Sequence, residues 1–411
     1  MATKAAATIA DPDAGWSLPA WTYSDTEFFA VEMRRVMRPS WQVVCHQSDV
    51  PNVGDYHTLE YLGESIVVVR GQDGQVRAFT NVCRHRGSRL VDGPSGCAVA
   101  KKLTCPYHAW SFDLEGKLVG VPLKATYPGL DQSKHGLVPV DLEVWRGFIF
   151  VRLENDGGPS VAEMIAPYDH EVEPYRFEDL KAFGRVTLRP RLVNWKNVGD
   201  NYSDGLHIPV AHPGLTRLMG SGYGVEAQES VDKMWGPIRD RLSNNPSEKA
   251  YQKYLPHVPH LPEERQKLWT YFKLWPNVAF DIYPDQVDFM QWLPVSPTET
   301  LIREISYAVP DDRREMKAAR YLNWRINRQV NAEDTWLINR VQDGMASESF
   351  TVGPLAETEV ALRNFCRKVR NLIPEARQHR SPPPGWSRRP HAAHSKDKKT
   401  KLRGCCHDQT L

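Results

Sequence analysis

At 411 residues, with 25% charged and 41% hydrophobic side chains, the chain has an ordinary globular composition and is long enough for two domains and a sizeable core. A formal charge of +2, part of it in the last thirty residues, gives no ground for a nucleic-acid or membrane-surface role. No apolar run approaches the ~20 residues that cross a bilayer, residues 1–14 lack the apolar stretch of a signal peptide, and the seven cysteines form no disulfide pattern, so a cytoplasmic protein is expected.

Residues 1–40 read as a small-residue arm followed by one amphipathic helix, with Ser24 or Asp25 as N-cap ahead of Phe28, Val31, Met33 and Val36. This segment is expected to pack on the larger C-terminal domain. Residues 41–155 change to short runs of period two. Ser65–Arg70 predicts a strand, Gln72–Gln75 a turn, and Val76–Phe79 the returning strand. A second hairpin is expected over Trp110–Val119 with its turn at Leu114–Gly116, and Trp145–Val151 closes a small all-β domain.

Two of its loops carry Cys83-Arg84-His85 and Cys105-Pro106-Tyr107-His108. Four thiolates would suit a plain iron–sulfur cluster, but here two Cys and two His are present, the set in which His replaces Cys on one iron of a [2Fe–2S] centre. Zinc takes Cys₂His₂ as well, but finger spacing puts both Cys first and both His after, whereas each loop here gives one of each.

Glu154–Pro159 reads as a linker, and residues 156–380 mix helices and strands. Helices are expected over Val161–Tyr168, Asn194–Leu206, Asp311–Val341 and Glu357–Leu372, and strands over Phe183–Leu192, Leu268–Phe280, Val287–Leu293 and Thr300–Ala308. Cys366, on the apolar side of the last helix, reads as a buried small hydrophobe. Pro382–Gly385 is expected to end the fold, leaving residues 381–411 as a basic disordered tail whose His391, His394 and His407 are solvated.

Asn194-Trp195-Lys196 through Asp200-Asn201-Tyr202-Ser203-Asp204-Gly205-Leu206-His207 to His212 offers a second site. Two His and one carboxylate make the facial triad of non-haem Fe(II) oxygenases, which leaves positions open for O₂ and substrate. The carboxylate must come from far along the chain, and Asp281, Asp285, Asp288, Asp334 and Asp343 are candidates.

Cys83-x-His85-Arg86-Gly87 with Cys105-Pro106-Tyr107-His108-x-Trp110 resembles the Rieske domain of the Rieske non-haem iron oxygenases, and the Asn194–His212 segment resembles the iron-site motif of their α subunits. The gap of 19 residues between the two pairs is longer than usual in the family, and the turn-rich stretch Asp92–Cys97 is expected to absorb the excess. The resemblance implies an α+β chain, an all-β Rieske domain followed by a helix-grip catalytic domain. It implies Cys83, His85, Cys105 and His108 as ligands of a Rieske [2Fe–2S] cluster, with His207 and His212 on a mononuclear Fe(II). Asn331–Trp336 resembles the segment that supplies the third ligand, which makes Asp334 the choice and Glu333 the alternative on a one-residue slip.

The same resemblance gives Asp204 the role of a carboxylate joining His207 to His108 of a neighbouring subunit in a head-to-tail homotrimer. Asn201 lies six residues before His207, a tighter register than in naphthalene-type dioxygenases and similar to the choline, carnitine and betaine monooxygenase branch, although Asp204 stands where that branch often has Glu. That branch generally works without a β subunit. No Gly-x-Gly-x-x-Gly follows a strand, so NAD(P)H and flavin are expected on a separate reductase of flavin or ferredoxin type. The implied reaction is O₂-dependent hydroxylation or N- or O-dealkylation of a small organic substrate. A cis-dihydroxylating dioxygenase is the alternative; a Rieske electron carrier and a zinc-stabilised binding protein are remoter ones. Trp269, Tyr271, Trp275, Tyr283 and Trp292 could cage a quaternary ammonium or simply fill a core, and Lys273 or Arg303 could meet a substrate carboxylate or lie on the surface.

Overall fold

The computed structural model describes residues 13–184 and 186–388; the first residues and those from 389 onward, with His391, His394 and His407, lie outside the described part. Among the described residues no helix is long and apolar enough to cross a membrane.

The first domain is built from ten strands: β1 (Gln42–His46), β2 (Asp55–Tyr61), β3 (Glu64–Arg70), β4 (Val76–Thr80), β5 (Ser95–Cys97), β6 (Leu103–Thr104), β7 (Ser111–Phe112), β8 (Leu118–Gly120), β9 (Asp141–Trp145) and β10 (Phe148–Arg152). They form three antiparallel sheets ordered β4-β3-β2-β5, β1-β10-β9 and β6-β7-β8. Both expected hairpins are present. The run Trp145–Val151 is not one strand: Arg146 and Gly147 take φ of 44° and 90° and form the two-residue turn between β9 and β10, with Trp145 paired to Phe148. Two successive left-handed residues are what a tight hairpin needs to match the twist of its strands. The stretch Asp92–Cys97 is only half turn, since Ser95–Cys97 forms β5 on the edge of β2.

The second domain is one antiparallel sheet gripped by helices. Its strands are β11 (Lys181–Ala182), β12 (Thr187–Arg191), β13 (Gly224–Ala227), β14 (Val231–Pro237), β15 (Leu268–Leu274), β16 (Val278–Ile282), β17 (Val287–Ser296) and β18 (Glu299–Ala308), in the order β11-β18-β17-β16-β15-β14-β13, with β12 also on β18. The expected strand over 268–280 is split at Trp275–Asn277 into β15 and β16, because Pro276 has no N–H to give a ladder. The helices are α1 (Thr26–Glu32), α2 (Val161–Ile165), α3 (Asp169–Val172), α4 (Trp195–Ser203), α5 (Ile208–Ala211), α6 (Pro213–Met219), α7 (Pro246–Tyr254), α8 (Arg314–Met345) and α9 (Val360–Leu372). Asp25 caps α1 through Phe28 N, and Asn194 caps α4 through Lys196 N.

The N-terminal segment locks α4 in place. The Lys196 ammonium and the Glu32 carboxylate are fully buried 2.8 Å apart, Lys196 also donates to Thr22 O, and Tyr23 OH donates to Asp200 Oδ2 at 2.6 Å. Gln342 of α8 accepts from Asn194 N and Asn197 Nδ2, tying the two helices that carry the second site. Cys366 is buried as expected. Pro382–Gly385 does not end the fold: Trp386 is buried against Trp21 and Phe28, and Gly385 N donates to Glu27 Oε1. Residues 381–388 therefore belong to the fold and not to the basic tail expected from residue 381, because the indole has an apolar seat on Trp21 and on Phe28 of α1.

Candidate metal centres and active-site pocket

Two loops of the first domain repeat one backbone pattern. Cys83 N donates to Ser88 O and Gly87 N to Cys83 O; Cys105 N donates to Trp110 O and Ala109 N to Cys105 O. The fourth position after each Cys is left-handed, Gly87 at φ 74° and Ala109 at 56°. These turns aim the backbone N–H groups of His85 and Arg86 at the Cys83 sulfur and those of Tyr107 and His108 at the Cys105 sulfur. The His85 and His108 rings lie 4.7 Å apart, and His85 stacks on Trp110 at 4.8 Å. The Nδ1 atoms of both histidines are buried with no hydrogen-bond partner. Two sulfurs supplied with N–H donors and two orphaned imidazole nitrogens fit a Cys₂His₂-held [2Fe–2S] cluster.

In the second domain Asp204 ends α4, His207 opens α5, and His212 sits between α5 and α6. Asp334 faces them from the middle of α8. His207 Nε2 and His212 Nε2 are 3.1 Å apart, and Asp334 Oδ1 is 2.9 Å from the latter and 3.5 Å from the former. Behind each ring stands a carboxylate: Asp204 Oδ2 at 3.0 Å from His207 Nδ1, Glu333 Oε2 at 2.8 Å from His212 Nδ1. With Nδ1 of each ring donating to its carboxylate, both Nε2 atoms and Asp334 Oδ1 would be left to hold a divalent metal with open positions. Asn201 Nδ2 donates to Asp334 Oδ1 at 3.1 Å. Burial alone would lower the His207 pKa, but Asp204 and Asp334 carry it to about 9; burial would raise Asp334, but the two imidazoles hold it down at about 2. Burial likewise opposes charge on Asp204, and His207 with the Leu206 N–H keeps its carboxyl below the ordinary range.

The three groups stand at the wall of a pocket of about 120 Å³ between the sheet and helices α4 and α8. Tyr202, Tyr223, Tyr271 and Tyr283 line it, with Asp281, Asp288, Glu304 and Arg191. Tyr202 OH donates to Asp281 Oδ1, and burial raises the Asp281 carboxyl to about 6 and that of Asp288 to about 7.

The structure brings together His207, His212 and Asp334, and it separates Asp334 from Glu333, which faces the other nitrogen of His212. The remaining acidic candidates do not join the triad: Asp281 and Asp288 line the pocket from the sheet, Asp285 accepts from Tyr251, and Asp343 is exposed. Of the five proposed cage aromatics only Tyr271 and Tyr283 reach the pocket; Trp269 and Trp292 are core, and Trp275 packs on Phe365. Lys273 and Arg303 lie neither in the pocket nor on the surface. Lys273 is buried on Ser203 and Asp232, and Arg303 is buried on Val43 O and Gln291. Tyr202, Tyr223 and Arg191 went unnoticed in the sequence; the alternation of Tyr271, Asp281, Tyr283, Asp288 and Met290 on strands was the available signal.

Two family profiles match the chain: a Rieske [2Fe-2S] domain over residues 40–136 and the catalytic domain of a ring hydroxylating alpha subunit over residues 177–375. The carnitine monooxygenase oxygenase subunit of Escherichia coli (strain K12) is 31% identical over 354 residues, covering 83% of this chain and 87% of the relative. The glycine betaine monooxygenase oxygenase subunit of Pseudomonas aeruginosa (strain UCBPP-PA14) is 34% identical over 209 residues, covering 50% of this chain and 47% of the relative. Among solved structures, a quaternary ammonium Rieske monooxygenase in complex with L-carnitine superposes with a TM-score of 0.72 at 25% identity, over 90% of this chain and 97% of the other. Naphthalene 1,2-dioxygenase from Rhodococcus sp. shares the fold, with a TM-score of 0.72 at 19% identity over 87% of this chain and 95% of the other.

Proposed function

The chain belongs to the Rieske non-haem iron oxygenases as an oxygenase subunit, and on that premise we propose that it is a monooxygenase acting on a carbon bonded to the nitrogen of a small ammonium compound. The convergence of His207 Nε2, His212 Nε2 and Asp334 Oδ1 on the wall of a tyrosine-lined pocket carries this reading.

Cys83, His85, Cys105 and His108 would hold the [2Fe–2S] cluster, and His207, His212 and Asp334 the Fe(II). Bound there, the two groups supply the passage of single electrons from a separate NAD(P)H-dependent reductase and the reaction with O₂ that puts one oxygen atom into a C–H bond. Overall, substrate, O₂, two electrons and two protons give a hydroxylated product and water. A hydroxyl on a carbon next to nitrogen makes a hemiaminal, which collapses to an amine and a carbonyl compound.

The chain's own groups do the positioning. Asp204 and Glu333 hold the protons on Nδ1 of His207 and His212, and Asn201 fixes the Asp334 carboxylate. The tyrosines exclude water and offer ring faces to a cation. Arg191, whose Nε has no protein partner, suits the carboxylate that carnitine and glycine betaine carry away from their ammonium. Asp204 would also meet His108 of a neighbouring subunit in a head-to-tail homotrimer. In support, Leu206 and Val210 beside the triad and Tyr107 beside His108 are exposed, Val210 at 87%.

The test is turnover of carnitine, glycine betaine and choline with a reductase, NADH and O₂. Amine and carbonyl products in a one-to-one ratio with O₂ consumed are expected, and Asp204→Ala should keep the cluster's visible absorbance while losing turnover. A cis-diol from an aromatic hydrocarbon, with no reaction on ammonium compounds, would contradict the reading.

A further inference from the structure

Asp281 and Asp288 stand directly opposite each other on β16 and β17, in a row that runs Met234, Tyr271, Asp281, Asp288, Ser306 across five strands. Like charges facing each other across an antiparallel pair destabilise a sheet, and burying a carboxylate without a cation costs more still. Among the described residues neither aspartate forms an ion pair. Of the cations around them, Arg189 is engaged by Glu304 on β18, Lys273 serves Asp232 and Ser203, and Arg191 lines the same pocket without pairing with either aspartate. What the two carboxylates receive instead are neutral donors: the hydroxyls of Tyr202 and Tyr283 on Asp281, and Gln286 Nε2 and Ser306 on Asp288. Both nevertheless line the pocket that the triad faces.

The ring faces around them are four tyrosines. Tyr271 meets Tyr283 edge-on with centroids 6.1 Å apart, and Tyr223 lies 6.4 Å from Tyr271. Ring quadrupoles and two unpaired carboxylates lining one pocket make a poor seat for a neutral hydrocarbon and a good one for a compact cation. Burial raises the pKa of both aspartates, and a cation bound beside them would favour their charged form.

We propose that the Asp281–Asp288 pair is the charge-reading floor of the substrate pocket, selecting substrates by the positive charge of their nitrogen. The proposal rests on the ammonium reading of the same pocket and assigns to these two side chains the discrimination between a cation and a neutral molecule of the same shape. They stand on the sheet and outside the group of His207, His212 and Asp334, whose ligand atoms lie within 4.8 Å of one another, which makes them binding groups and not metal ligands.

The experiment compares trimethylammonium compounds with their tert-butyl isosteres, glycine betaine against 3,3-dimethylbutanoate and choline against 3,3-dimethylbutan-1-ol, binding to the anaerobic, metal-loaded enzyme by calorimetry. In each pair the ammonium compound should bind about tenfold tighter than its tert-butyl counterpart, the advantage expected of a desolvated cationic group over aromatic and anionic groups. Asp281→Asn and Asp288→Asn should each bring that ratio down by about threefold or more, while the uncharged 3,3-dimethylbutan-1-ol binds as before and the cluster absorbance is unchanged. A ratio near one in the unmodified enzyme, or a ratio that survives in both variants, overturns the proposal. If the ammonium compounds turn over but the ratio is insensitive to both substitutions, the charge-reading role fails and the monooxygenase reading stands. If the ratio behaves as expected but no amine or carbonyl product forms, the charge-reading role stands and the monooxygenase reading fails.

Discussion

Single residues account for the chemistry, and they also show what a sequence can reveal. The two Cys/His pairs were legible because a metal centre needs few residue types at fixed spacing in tight loops, and His207 with His212 for the same reason. Asp334 and Glu333 could not be separated on spacing alone. Adjacent residues on α8 point about 100° apart, so one meets both Nε2 atoms and the other the back of His212. The floor of the pocket was hidden because strand alternation says which residues share a face but not which face a helix covers. Asp288 lends itself to a thermodynamic test. Its folded pKa, about 7, lies above the ordinary carboxylate value, so the proton it binds stabilises the fold fully at low pH, and that contribution is lost as pH rises through 7. Asp288→Asn should therefore raise the melting temperature, with little gain at pH 4 and a gain of up to about 4 kcal/mol by pH 8. Thermal scans of both proteins across that range check it, and a gain that shrinks with rising pH would contradict the burial argument.

At the level of elements, helix α4 is the part everything else positions. Its sheet side is trimmed at Gly199, where a Cβ would come 3.3 Å from Trp292 Nε1, so the helix lies close on β17. Its other side is plugged by α1 through the buried Lys196–Glu32 pair and Tyr23. The helix itself was expected in the sequence over Asn194–Leu206, and α4 is shorter, ending at Ser203. The plug was not, because a Glu and a Lys 164 positions apart carry no periodicity. Removing Glu32 leaves an ammonium buried without its carboxylate, so Glu32→Ala should cost about 3–5 kcal/mol in urea unfolding. Lys196→Met combined with Glu32→Leu should recover most of that loss. A single-variant cost below about 1 kcal/mol, as for an exposed pair, would show that the pair does not hold the helix. The seat of Trp386 was hidden for the same reason, since its partners Trp21 and Phe28 are distant in sequence; the Arg146–Gly147 turn, between paired Trp145 and Phe148, was hidden because the apolar run continues across it.

Over the whole molecule, one small β domain presents two loops for a cluster and one helix-gripped sheet presents a triad and a pocket. The two-domain plan followed from the change of texture near residue 155, and the order of strands in the sheet did not, since neighbouring strands were not encoded in the alternation that identified them. Asp204 belongs to this scale, because the role proposed for its carboxylate, which is held by His207 and the Leu206 N–H beside exposed Leu206 and Val210, requires another subunit's cluster domain. The central claim is that one chain holds a two-iron cluster and a separate single iron. Iron and acid-labile sulfide counted per chain, with low-temperature electron spin resonance of the reduced protein, test it in the unmodified enzyme and in Asp334→Ala. The account predicts about three irons and about two sulfides, falling to about two irons in the variant with the rhombic cluster signal unchanged. About two irons in both proteins, or loss of the cluster signal in the variant, would contradict it.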